Sequence, residues 1–170
     1  MEKEKRPLSS VKTCLELLVF SSFIYVLSML IWTATTRSAV ESRANAIIEN
    51  HSVITDIINE EVMKCDQNPN QKTSWGENCS LKWTANKIVE YLLNNVELKN
   101  PYSIEGNIIQ AVSDPRIEAE GKAGQSTNKG IIFVSDIDFS AEPGSEWIIG
   151  TCIKSPCVAA GNNELVSIYR

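Results

Sequence analysis

The chain carries a single histidine, His51, and has neither proline nor glycine anywhere between residues 8 and 68. One histidine and no CxxC spacing leave little from which to build a zinc site. No serine or cysteine motif stands beside a plausible base, so the constellation an enzyme needs is missing and no catalysis is expected. The Asp-x-Asp-x-Asp-Gly pattern of a calcium loop is also absent, and Asp136, Asp138 and Glu142 read as solvated strand-edge charges. No cofactor or metal is expected. Formal net charge is −5 and no Lys/Arg cluster occurs beyond residue 37, which argues against a nucleic-acid partner. There is no internal repeat and no low-complexity tract.

What the chain does have is a long apolar run. Residues 13–36 read TCLELLVFSSFIYVLSMLIWTATT, with Glu16 as the only formal charge. A helix needs about 20 predominantly apolar residues to cross a bilayer. Four basic residues (Lys3, Lys5, Arg6, Lys12) precede the run and only Arg37 and Arg43 follow closely, so the positive-inside rule keeps the N-terminus cytoplasmic. A cleaved signal has a shorter apolar region, about 7–15 residues. A retained helix is therefore expected: a cytoplasmic tip over 1–12, a transmembrane helix over 13–36, and an extracytoplasmic domain over 37–170. Trp32 fits the outer interfacial belt.

The helical pattern continues past the membrane. Val40, Ala44, Ile47, His51, Ile54, Ile58 and Val62 recur at three- and four-residue steps and form one stripe, which Ile48 and Ile57 widen. A helix from Ser9 to Met63 would be roughly 80 Å long. His51 lies in step with this stripe and reads as a packing residue. A loop over 66–78 follows, then a second helix with Ser80 as N-cap and Leu81, Ala85, Ile88, Leu92 and Val96 on one face, ending before Pro101. Residues 97–128 read as irregular, apart from a possible strand over 107–112 and an exposed loop over 118–130. Three β-rich runs, 130–139, 145–153 and 164–170, are bounded by Pro143-Gly144, Pro156 and Gly161-Asn162-Asn163, and predict an antiparallel meander. The fold class is α+β, with the long helix covering one face of the sheet. Trp83 and Trp147 read as core, and Trp75, in the polar loop, as an exposed contact residue.

Five cysteines complete the picture. Cys14 lies at the cytoplasmic edge of the anchor, and Cys65, Cys79, Cys152 and Cys157 lie in the exported part. An even set in an oxidising compartment implies disulfides. Three pairings are open; the local one, Cys65 with Cys79 and Cys152 with Cys157, is the simplest.

The order of cytoplasmic tip, very long N-terminal helix, short helix and C-terminal sheet resembles the type IV pilins and the pseudopilins of type II secretion systems. The motif T-C-L-E-L-L-V (13–19) looks like that family's signature, an apolar helix broken by one glutamate at the fifth mature position. Aligning Glu16 with that glutamate puts the mature start at Lys12. Asn100-Pro101-Tyr102 echoes a loop motif of some pseudopilins. The chain departs from the family at the cut, where Val11 stands in place of glycine or alanine and Lys12 in place of an apolar first residue. The resemblance implies a non-catalytic subunit of a filament or of a secretion or uptake machine, in the bacterial inner membrane with its domain periplasmic or extracellular. It would polymerise through the apolar helix, and its partners would be like subunits, the assembly machinery and the bilayer. Glu16 would pair with the free N-terminal amine of a neighbouring subunit. The alternative is a single-pass signal-anchor protein whose outer domain binds something and never polymerises; Lys12 and Glu16, four residues apart, would then pair along one helix face.

Overall fold

The structure, a computed structural model, describes residues 9–103, 108–120, 129–140 and 144–169. The tip residues 1–8, the Lys12 side chain, Pro143, Glu142 and most of the 118–130 loop lie outside the described residues. One helix, α1 (Ser9–Gln67), opens the fold. With no proline or glycine inside it, nothing removes a backbone donor or frees a residue from helical geometry, so the i→i−4 ladder has no sequence-imposed stop. The chain divides into two compact units, residues 1–42 and 43–170.

The second unit is α+β. After α1 come β1 (Lys82–Trp83), α2 (Ala85–Asn95), β2 (Ile109–Ala111), α3 (Pro115–Glu120), β3 (Ile132–Val134), β4 (Ile137–Asp138), β5 (Glu146–Cys152) and β6 (Asn163–Tyr169). The four-stranded sheet runs β2-β3-β5-β6; β3, β5 and β6 pair antiparallel, whereas β2 and β3 are parallel. The sheet is therefore mixed, and the expectation of a purely antiparallel meander is corrected. The reason is the connection. A parallel pair needs a crossover of about a dozen residues or more, usually containing a helix, and the segment between β2 and β3 carries α3.

Other boundaries move for equally local reasons. The second helix begins at Ala85, not after Ser80, because Lys82 and Trp83 are drawn into an extended pairing with Asp138 and Ile137. Thr84 occupies the N-cap position with φ −89° and ψ 131° but makes no side-chain cap bond. Instead the Ala85 N–H donates to Asp136 Oδ1 at 2.8 Å. The apolar run 130–139 yields two strands, since β4 leaves the main sheet to pair with β1.

The sheet is covered on both faces. On one side Ile54 and Ile58 of α1 and Ile88 and Leu92 of α2 join a single apolar cluster with Ile109, Ile132, Val134, Trp147, Ile149 and Ile168. Fully burying one such aliphatic side chain contributes about 1.5–3 kcal/mol. Of the expected stripe, Ala44, Ile47, His51, Ile54, Ile58 and Val62 are buried, joined by Thr55, Glu61 and Cys65, whereas Val40 is exposed and falls outside it; Ile48 is exposed and Ile57 half-buried. On the other side α3 lies against Gly150. A Cβ there would stand 2.8 Å from both Leu165 Cδ2 and Pro115 O, and 2.9 Å from Ala119 Cβ, so a side chain would push α3 off the sheet.

Two disulfides close local loops. Cys65 bonds to Cys79 with Cα atoms 5.1 Å apart, and Cys152 to Cys157 with Cα atoms 5.2 Å apart. The first ties the end of α1 to the 66–78 loop, where both sulfurs are buried. Replacing Cys65 and Cys79 together by serine is expected to cost about 2–5 kcal/mol. Urea unfolding of the full chain in detergent, with and without the pair, measures it.

Candidate functional site

Two places carry the polar chemistry that function needs: the apolar half of α1, and the polar groups of the second unit. In the first, α1 is long and apolar enough to cross a membrane. Its large side chains are bare: Leu15, Leu17, Leu18, Phe20, Phe23, Leu30, Ile31 and Trp32 are all exposed. Nothing among the described residues of the first unit covers them. The serine and threonine hydroxyls from Ser21 to Thr36 are already satisfied. Ser21, Ser22 and Ser28 donate to the carbonyls of Leu18, Val19 and Tyr25 at 2.8–3.0 Å. Thr33, Thr35 and Thr36 close onto Leu30, Ile31 and Trp32 at 2.9–3.0 Å. Such back-bonding hides polar atoms where no water is present. Glu16 cannot do this. It is a carboxyl side chain on an exposed stretch of helix, and an ionisable group in hydrocarbon is costly unless it is paired.

In the second unit the polar groups are mostly occupied with holding the fold. Glu61, nearly buried on α1, accepts from the Ser74 N–H at 2.9 Å, the Ser74 hydroxyl at 2.7 Å and Lys64 Nζ at 3.0 Å. Burial alone would raise its pKa, but the Ser74 bonds and Lys64 outweigh it and hold the carboxyl below the usual range. Trp75 sits on this loop and is buried, packed edge-on against Trp83 (5.2 Å between ring centres) and Tyr91 (6.0 Å). The expectation that Trp75 is an exposed contact is corrected: the disulfide and the Glu61–Ser74 bonds fold the polar loop back and turn the indole inward.

His51 is buried against the sheet. Its Nε2–H donates to Ile149 O at 3.2 Å, and its Nδ1 faces Glu164 Oε2 at 3.8 Å. Burial lowers the imidazole pKa, and the Ile149 carbonyl and the Glu164 charge only partly oppose it. The sign for stability follows from linkage. Above about pH 6.5, the ordinary imidazole value, the native and unfolded states both hold neutral His51 and its contribution is complete. As pH falls from there through the lowered native value, the unfolded chain binds the proton more readily and stability is lost. Glu61, with its carboxyl held below the usual range, contributes fully above about pH 4.3 and loses that contribution only as pH falls below it, a separate window. Urea midpoints measured from pH 7.5 to 5 are expected to fall for the native chain, and to fall less for His51→Gln.

A cleft of about 600 Å³ lies past the C-terminal ends of β2 and β3 and includes Lys82, Asp114, Arg116, Ser135, Asp136 and Glu146. Its charges are largely paired already: Lys82 with Asp136 at 3.0 Å and Arg116 with Asp114 at 3.1 Å. Asp136 also caps α2, and Asp138 accepts from the Ser140 N–H at 3.0 Å. These carboxylates serve turns and helix ends. His51 does not line this cleft, and no group of His, Cys, Asp and Glu side chains suited to a metal occurs among the described residues. Compared with family models, with curated proteins and with solved structures, the chain matches none of them.

Proposed function

We propose that this chain is a pilin-like or pseudopilin-like structural subunit, anchored in the bacterial inner membrane by residues 13–36 and polymerising through that helix. The observation that carries the reading is the bare apolar segment whose serine and threonine hydroxyls are internally satisfied and which carries one charged residue, Glu16. In a filament core the apolar helices of neighbouring subunits replace lipid around one another. There a carboxylate is costly unless paired, and the free amine at a mature N-terminus, Lys12, supplies the cation. The N-terminal tip is cytoplasmic, the 43–170 unit is periplasmic or on a surface filament, and the work is mechanical, without catalysis. Like subunits and an inner-membrane assembly machine are the partners.

The second reading, a signal anchor that does not polymerise, is favoured by Val11 at the position before the cut. Intact mass and N-terminal sequencing of the protein from its native membrane separate the two. A chain beginning at Lys12, with a new amine, supports the subunit; a chain beginning at residue 1 or 2 supports the anchor.

A further inference from the structure

Trp147 carries a hydrogen-bond donor that the fold does not use. The residue is 5% exposed and its ring stacks on Phe139. A buried indole usually finds a partner for its N–H, yet this one makes no hydrogen bond among the described residues. Nor is it sealed from solvent: the buried side-chain atoms without a partner are Trp75 Nε1 and Glu164 Oε2. The Trp147 N–H therefore reaches solvent, and Trp147 lines the cleft of about 600 Å³ past the ends of β2 and β3. Sites for small ligands span about 300–1,000 Å³.

Other uncommitted groups line the same cleft. The Asn86 amide and the Ser113 hydroxyl are exposed there and make no hydrogen bond among the described residues. Arg116 donates to Asp114 from Nε at 3.1 Å and Nη2 at 3.3 Å and keeps its other guanidinium donors. Asp136 accepts the Ala85 N–H on Oδ1 and Lys82 on Oδ2, and each carboxylate oxygen has a second lone pair. Ala111, Val112 and Ile148 add apolar surface. The charge balance decides the class of ligand. Asp114, Asp136 and Glu146 stand against Lys82 and Arg116, so no cation is in excess for an anion. The carboxylates are engaged in turn, Asp136 with Lys82, Asp114 with Arg116 and Glu146 with the Ser167 hydroxyl, so an organic cation would have to displace a partner. A hydroxyl needs no displacement. It is donor and acceptor on one atom, and can bond a carboxylate and a guanidinium that still hold each other. Such charge-assisted bonds are roughly twice as strong as neutral ones.

We infer that this cleft binds a short, uncharged saccharide. Trp147, Asn86, Ser113 and Arg116 donate to its oxygens, Asp114 and Asp136 accept from its hydroxyls, and its C–H faces lie on Ala111, Val112 and Ile148. Two sources share this chemistry: a free sugar and the end of a glycan chain. The site stands whether or not the subunits polymerise.

The test uses the full chain, isotope-labelled at the indole nitrogens, in lauryldimethylamine oxide micelles, which carry no sugar headgroup. Cellobiose, maltose and N,N′-diacetylchitobiose are titrated while the indole N–H resonances are followed, and Trp147→Phe identifies the Trp147 resonance by its loss. At least one of these sugars is expected to shift that resonance saturably. Asn86→Ala and Ser113→Ala should each weaken binding about fivefold, the effect of losing one neutral hydrogen bond. Asn94→Ala, at an exposed position of α2 outside the cleft, should leave it within about twofold on the same scale. An unchanged urea midpoint shows that each alanine variant is folded. Co-sedimentation with cellulose, amylose or chitin separates the sources: retention on the polymer of the bound sugar identifies a glycan chain, and sugar binding without retention identifies a free sugar. A Trp147 resonance that none of these sugars moves overturns the proposal, and so does an equal effect of the on-site and off-site substitutions.

Discussion

If the chain is the filament subunit proposed above, Glu16→Gln is expected to leave it inserted and folded while removing it from the filament. The substitution keeps size and shape and deletes the charge. In a non-polymerising anchor, Glu16 interacts at most with Lys12 one helical turn away, an exposed-type pair worth about 0.3–0.5 kcal/mol. Its loss would change neither membrane level nor domain stability. In a filament core, the same carboxylate is paired with a neighbour's amine away from water. Removing one partner of a buried pair costs about 3–5 kcal/mol because the other charge is left uncompensated. That corresponds to a loss of roughly two to three and a half orders of magnitude in the subunit association constant, at about 1.4 kcal/mol for each factor of ten. Sheared surface fractions and membrane fractions, immunoblotted side by side for the native chain and the variant, give the readout. Depletion from the sheared fraction at constant membrane level supports the subunit reading. Equal amounts in both fractions would remove its central argument.

Trp83→Ala is expected to be the most destabilising single substitution in the 43–170 unit. Trp83 is fully buried, and its Nε1–H donates to Asn78 O at 3.1 Å. Its ring stacks on Phe139 at 5.0 Å, and Trp75 meets its edge at 5.2 Å; Phe139 in turn stacks on Trp147 at 6.3 Å. One side chain therefore joins the disulfide loop, the β1–β4 pair and the main sheet. Truncation removes the buried area and leaves a cavity, about 3–5 kcal/mol for a tryptophan. It also removes the Trp83–Asn78 hydrogen bond, leaving the Asn78 carbonyl with the Leu81 N–H at 3.2 Å. Against a typical domain stability of about 5–15 kcal/mol, that brings the unit close to unfolding at growth temperature. Urea unfolding followed by near-ultraviolet circular dichroism should show the midpoint collapse. A shift under about 1 kcal/mol, the size of an ordinary surface-to-boundary change, would mean that the aromatic stack does not hold these elements together.

The parts of the fold legible in the sequence are those set by local pattern. The apolar run over 13–36 and its lone Glu16 follow from hydropathy and length, which need no knowledge of what lies opposite. The buried stripe Ala44, Ile47, His51, Ile54, Ile58 and Val62 follows from the helical period, because a helix decides which residues share a face before it meets anything. The three apolar runs near the C-terminus became strands for a similar reason: β-branched density and turn residues act over a few positions.

What escaped the sequence depends on residues far apart in the chain. Whether β2 runs parallel or antiparallel to β3 is decided by the crossover through α3, a six-residue helix too short for a periodic signal. Lys82 and Trp83 left the second helix because Ile137 and Asp138 offered an extended partner some 50 residues on. Trp75 turned inward because Glu61 and Cys65 on α1 capture its loop. Gly150 had no reading as a helix seat, and Asn86, Ser113 and Trp147 no reading as neighbours, until the sheet and helices came together. The sequence by itself thus determined that the chain has a membrane-length helix with one charge and an α+β unit beyond it. Only the tertiary structure decided which side chains converge, since convergence depends on strand direction and backbone approach, and neither leaves a periodic trace in the order of the residues.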